Sequence, residues 1–269
     1  MLIRKRKSAR RALITAGCCV GILALASPTR AADFTWSFSS GALSANAVFH
    51  DAGGGTLQIT LTNSGGDVLV PADLLTALFF NCACGTLTPV SATLAGGSTV
   101  LFGSNGDGNV GGEWAYAAGV SGPGGATRGI SAVGFGLFGS PNFDGPDLDG
   151  HASLGGMDYG VASSGDDPTT GNTPVTGTNP LIKNSVTFTF DGFNGNPSFS
   201  NISFQYGTSL NEPNSGGGTG AGTGIGSGSG GGSGQTLVPE PASLLLFGSG
   251  LSVVAYAAGR KRQNRKRKR

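Results

Sequence analysis

An uncharged run of 18 residues, 242–259, ends directly against a block in which eight of ten residues are Lys or Arg. As a helix rising 1.5 Å per residue, such a run is about 27 Å long, close to the hydrocarbon thickness of a bilayer. A helix is the form expected there, because it satisfies its own backbone polar groups without water. The block that opens with Arg260, Lys261 and Arg262 is a membrane stop that holds this end on the cytoplasmic side. A nucleic-acid-binding arm is the competing reading of the tail, and its direct junction with the apolar run favours the topological one. Ahead of the run stands Val238-Pro239-Glu240-Pro241, whose two prolines keep Glu240 in extended backbone.

The other end of the chain is also basic and then apolar. Six of the first eleven residues are Lys or Arg, and residues 12–26 are almost wholly apolar and lead into small residues. This order of regions is that of a secretory signal peptide over 1–31, with cleavage after Ala31 and an earlier alternative at Ala24-Leu25-Ala26. Gly17-Cys18 offers a lipoprotein-type box, but Thr15 stands where an aliphatic residue is usual. An N-terminal anchor left uncleaved is a further alternative.

With both ends set aside, the net charge of the whole chain misleads. Between Asp33 and Val238 only Arg128 and Lys183 are basic, against 14 acids, so the exported part carries 2 − 14 = −12. That charge argues against nucleic acid and anionic lipid as partners of the body. Residues 213–237 form a Gly/Ser/Thr-rich linker, expected to act as a flexible spacer. The exported domain is then 32–212, long enough for one β domain with a hydrophobic core. Cys82-Ala83-Cys84 remains in an oxidising compartment. A local disulfide, an intermolecular bridge and a redox-labile pair are all open for it.

Large apolar residues alternate with small polar ones along the body. The period-two segments Phe34–Phe38, Ser44–Phe49 and Thr56–Thr62 read as strands, the last two as a hairpin through Asp51–Gly55. Thr86–Leu94, Ser98–Phe102, Glu113–Ala117, Ile182–Phe190 and Phe199–Tyr206 read the same way. Residues 71–80 fit either a short helix capped by Asp73 or an extended apolar run, and 119–158 is Gly-rich and irregular. The fold class expected is all-β, an antiparallel sandwich or jelly-roll-like domain, flanked by the signal peptide and the transmembrane helix.

Pro239-Glu240-Pro241, the apolar run and the Arg-rich end, residues 238–269 together, resemble the PEP-CTERM sorting signal of Gram-negative bacteria. The resemblance implies Sec-type export, transient anchoring in the inner membrane, and processing by an exosortase, a membrane-embedded cysteine transpeptidase-like enzyme. The Pro-Glu-Pro residues would be substrate positions, and the product would reach the cell surface or the exterior. Four stretches of the body are similar to the XDD group of exosortase-dependent surface proteins. They are Asp73–Phe80, Gly112–Tyr116, Ser164–Asn172 and Asn201–Thr208. This likeness places the group's Asp-Asp motif on Asp166 and Asp167 and implies surface display, with no activity attached.

Candidate chemistry in the body is sparse. Asp144, Asp147 and Asp149 share a Gly/Pro-rich loop and suit calcium, which takes several oxygen ligands, although ordinary turn chemistry explains the same residues. No other cofactor is expected. Trp114 and Tyr116, with Trp36 and Tyr159, are candidate glycan-stacking rings. For a hydrolase, Glu113 with any Asp would serve as a carboxylate pair and His151 beside Asp149 as an acid/base group. Nothing selects such a pair, and no nucleophile elbow, His-Glu-x-x-His or phosphate loop is present. The reading is an exported, non-catalytic surface or matrix protein associated with exopolysaccharide or biofilm. A carbohydrate-binding module is the first alternative and a secreted hydrolase the second.

Overall fold

The computed structural model of the protein describes residues 33–177, 179–194, 198–215 and 222–224. The readings at Ala31, at Pro239, Glu240 and Pro241, at the span 242–259 and at Arg260, Lys261 and Arg262 lie outside these residues. Among the described residues, no helix is long and apolar enough to cross a membrane.

The described chain forms the strands β1 (Asp33–Ser40), β2 (Leu43–Gly53), β3 (Thr56–Asn63), β4 (Leu75–Cys82), β5 (Thr88–Leu94), β6 (Thr99–Leu101), β7 (Ala115–Ala118), β8 (Arg128–Ser131), β9 (Val161–Ala162), β10 (Leu181–Lys183), β11 (Ser185–Asp191), β12 (Phe199–Tyr206) and β13 (Gly222–Gly224). Short 3-10 turns at Pro71–Asp73, Gly106–Gly108, Gly111–Glu113 and Pro123–Gly125 are its helical content. The described residues are therefore all-β. One sheet runs β13-β1-β2-β3-β11-β5, and the other runs β6-β10-β9-β4-β8-β7, with β12 added on β4.

Alternation dictates the first sheet. Along Thr56–Asn63 every second side chain is buried, and β2 and β11 repeat the pattern, as expected of strands with one face on a core. The β2–β3 hairpin closes through Gly54 and Gly55, at φ of +66° and +86°, a left-handed pair that glycine adopts without penalty. The buried faces of both sheets meet in one apolar cluster that takes Phe49, Ile59, Phe188 and Phe190 from the first sheet, and Leu78, Phe80, Ile130 and Phe204 from the second. Phe49 and Phe80 touch edge-to-face at 5.6 Å across this interface.

Strand β4 shows why residues 71–80 were ambiguous. Its first six residues are all buried, because Leu78 and Phe80 face the main core while Ala77 and Phe79 pack under a third layer with Phe135, Leu137 and Phe138. A strand covered on both faces reads as a continuous apolar run. Asp73 does serve a turn, accepting from the amides of Leu69 and Val70 at 3.1 and 3.2 Å.

The structure corrects several expectations. Pairing is not wholly antiparallel, since β10 runs parallel to β9. The single strand expected over 182–190 is two strands in different sheets, broken at Asn184, whose φ is +93°. Strands β5 and β6 likewise belong to different sheets. The two crossings brace each other: the Ser185 amide donates to Ser98 Oγ at 3.1 Å, and the Ala95 amide to the Ser185 carbonyl at 3.2 Å. The folded body also runs past 212, because the Tyr206 amide donates to the Pro213 carbonyl and the Ser215 amide to the Phe204 carbonyl. Part of the linker is a strand, since β13 pairs with β1.

Candidate functional site

Residue Glu113 closes a 3-10 turn directly before Trp114 and β7. Trp114 is fully buried against Phe188, with ring centroids 4.8 Å apart. That contact fixes the turn. The acidic loop is fixed on the same rings, because Phe143 lies 5.4 Å from Phe188 and 5.3 Å from Phe190.

Between these anchors the two segments approach backbone to backbone. A β-carbon on Gly111 would collide with the Asp144 carbonyl, and one on Gly112 with the Pro146 carbonyl. On Gly145 it would sit 2.6 Å from the amide nitrogens of both Gly111 and Gly112. Only glycine fits at these three positions. The result presses the loop onto the turn, and the Leu148 amide donates to Glu113 Oε1 at 2.5 Å.

Ligand oxygens of Glu113, Asp147 and Asp149 lie within 4.8 Å of one another. Asp147 accepts from the Gly150 amide and Asp149 from the His151 amide, each at 2.7 Å. His151 Nδ1 is 3.7 Å from Asp149 Oδ1, with the imidazole 73% exposed and the carboxylate 8% exposed. Asp144, expected with Asp147 and Asp149 from the sequence, lies outside this group. The Asp144 backbone pairs with β5 through Val90 and Ser91, and Glu113 takes its place among the acids.

Burial pushes the Glu113 carboxyl up to about 7, and the charges of Asp149 and Asp147 add to the effect against the amide donated by Leu148. Asp158 is raised for the same first reason, burial, and then by Asp149. Tyr159, whose hydroxyl donates to the Ser104 carbonyl at 3.0 Å, is pushed far above the usual phenol range by burial and by Glu113. Neither cation of the body relieves this charge. Arg128 donates to the Tyr116 hydroxyl and the Gly85 carbonyl, and Lys183 to the Asp166 carbonyl. Converging carboxylates with no ion-paired Lys or Arg are suited to a hard divalent cation.

The other candidate residues are placed as follows. Trp114 is fully buried and Tyr116 is 7% exposed, so neither offers a ring face to a sugar. The stacking role is replaced by core packing, on Phe188 for Trp114 and on Phe190 for Tyr116. Tyr159 is likewise buried. Cys82 and Cys84 are joined by a disulfide, Cα atoms 5.2 Å apart. Asp166 is buried and holds the Val68 amide at 2.8 Å, while Asp167 closes a turn on the amide and hydroxyl of Thr169. The Asp-Asp pair thus ties one loop to another. His50 pairs with Asp33 at the surface.

The raised pKa of Glu113 has a definite sign in stability. The native state holds its proton up to about pH 7 and the unfolded chain releases it near 4.5, so the native state binds more protons between those values. Stability of metal-free protein therefore falls as pH rises from about 4.5 to 7, by up to about 3 kcal/mol. Denaturant melts with chelator present are expected to show that slope in the wild type and a flatter profile in Glu113→Gln.

No curated protein matches the chain, and no solved structure does. A family model does match, over residues 237–263, that of the PEP-CTERM protein-sorting motif. The match includes Pro239, Glu240 and Pro241, the whole of 242–259 and the first basic residues, and it touches no part of the β domain. A signal of this kind marks a protein exported and sorted by an exosortase toward the cell surface. The chain carries a C-terminal PEP-CTERM protein-sorting motif.

Proposed function

We propose that this is a non-catalytic display protein: a secretory leader exports it, 242–259 anchors it in the inner membrane of a Gram-negative cell, and an exosortase processes it at Pro239-Glu240-Pro241. The observation that carries the reading is the sorting motif at 237–263, supported by the leader-like residues 1–31 and the basic stop after 259. The β domain, with its charge of −12, would stand outside the membrane among exopolysaccharide or biofilm matrix. The non-catalytic part rests on Glu113. The carboxyl with the most altered acidity is 5% exposed and bound by the Leu148 amide, whereas a general acid must reach its substrate. A carbohydrate-binding module is disfavoured by the burial of Trp114, Tyr116 and Tyr159. Intact mass and cell fractionation with and without the exosortase test the sorting step. The expected outcome is a shortened, surface or released form that becomes a full-length, membrane-bound form when the exosortase is absent. A tail retained at the same location in both strains would refute it.

A second reading concerns the β domain alone and is favoured by the convergence of Glu113, Asp147 and Asp149. These carboxylates would bind calcium and brace the loop against the turn, a structural use that suits an extracellular domain. Extracellular modules bind calcium with Kd of roughly 0.1–1 mM, so 10 mM calcium should stabilise the wild type by about 1.5–3 kcal/mol. Thermal melts are expected to show that gain, and to lose it in Glu113→Gln and in Asp149→Asn. An equal gain in all three proteins would mean the ion binds elsewhere.

A further inference from the structure

We propose that the outer edge of β1 is a strand-addition site whose occupant is the chain's own tether, seated by matching tether glycines to the aromatic residues of β1. Two observations converge on this.

The first is the register. Strand β13 pairs antiparallel with β1, setting Phe34 against Gly224, Thr35 against Thr223 and Trp36 against Gly222. An edge strand presents unpaired amides and carbonyls that invite a further strand. Phe34 and Trp36 point to the core side, stacked at 6.3 Å, with Phe34 edge-on to Phe199 at 5.2 Å and Trp36 edge-on to Phe49 at 5.4 Å. A cross-strand aromatic can cover the bare backbone of a glycine and so offset glycine's poor fitness for strands.

The second is a pattern in the linker. From Gly218 to Gly230 every even-numbered residue is glycine, and every odd one is Thr, Ala, Ile or Ser. A random spacer has no need of a strict period of two, but a strand does. In the observed register the glycines fall opposite the aromatics. A slip of one residue would turn Thr and Ile toward them instead.

The pairing has a geometric consequence. Because β13 runs antiparallel to β1, the outgoing chain leaves beside Phe34, so the two ends of the exported domain meet at one corner of the sheet. Only residues 225–238, 14 in all, then separate the sheet from Pro239, against 23 counted from residue 216. At 3.3–3.6 Å per extended residue the longest reach drops from about 80 Å to about 50 Å. The strap keeps the Pro-Glu-Pro segment closer to the domain than the linker's length alone would. The pairing requires neither exosortase processing nor calcium.

The test is disulfide mapping by mass spectrometry on the full chain carrying Thr35→Cys with Thr223→Cys, compared with Thr35→Cys with Gly222→Cys. Positions 35 and 223 are register partners in the antiparallel pair, whereas the register partner of 222 is Trp36. The intramolecular 35–223 bridge should form about tenfold faster than 35–222 under native conditions, and the advantage should vanish in denaturant. Circular dichroism checks that both variants are folded. Equal native rates, or a 35–223 bridge found only between two copies, would overturn the proposal.

Discussion

Everything that positions the acidic site depends on one aromatic contact set between the sheets. Phe188 and Phe190, neighbours on the buried face of β11, receive Trp114 and Tyr116 from one segment and Phe143 from another. Such ring pairs bury large areas and prefer defined edge-to-face or tilted geometries. Two irregular segments, far apart in sequence, are thereby pinned to the same two side chains. Glu113 precedes Trp114, and Asp147 and Asp149 follow Phe143 by only a few residues. Without that anchoring, acids repelling one another would have no reason to converge.

Glycine then does locally what the rings do globally. The body is rich in glycine, and much of it serves turns at positive φ. Gly111, Gly112 and Gly145 serve a different end, since each admits a neighbouring backbone where a β-carbon would stand. The glycines trade chain entropy for closeness, and that closeness presses the Leu148 amide onto a buried carboxyl. The raised pKa of Glu113 is the electrostatic cost of the same arrangement. A bound cation would offset this cost, which links the pH dependence and the calcium reading to one cause.

The division between what the residues announced and what they concealed follows from range. Strands with one buried face were legible, because Thr56–Asn63 and Ser185–Asp191 alternate with the pleat. Strand β4 was not, since burial on both faces erases alternation. The break at Asn184 was hidden because both flanks are strand-like and only its left-handed φ separates the sheets. Trp114 and Tyr116 misled for a related reason: an aromatic alternating with small residues looks the same whether its ring meets a sugar or Phe188. Glu113 was visible as a lone acid, but its partnership with Asp147 and Asp149 depends on contacts made more than thirty positions away. The sorting motif was legible throughout, because it is local in sequence and a family model matches it over 237–263 without reference to a fold.

The central claim is that ring packing and glycine contacts hold the acidic loop on the Glu113 turn as one rigid unit. Hydrogen exchange of the Leu148 amide in the native full-length protein tests this most directly. The account predicts protection comparable to that of the β11 amides, opening only as the domain unfolds. Exchange at the rate of a free surface loop would contradict it.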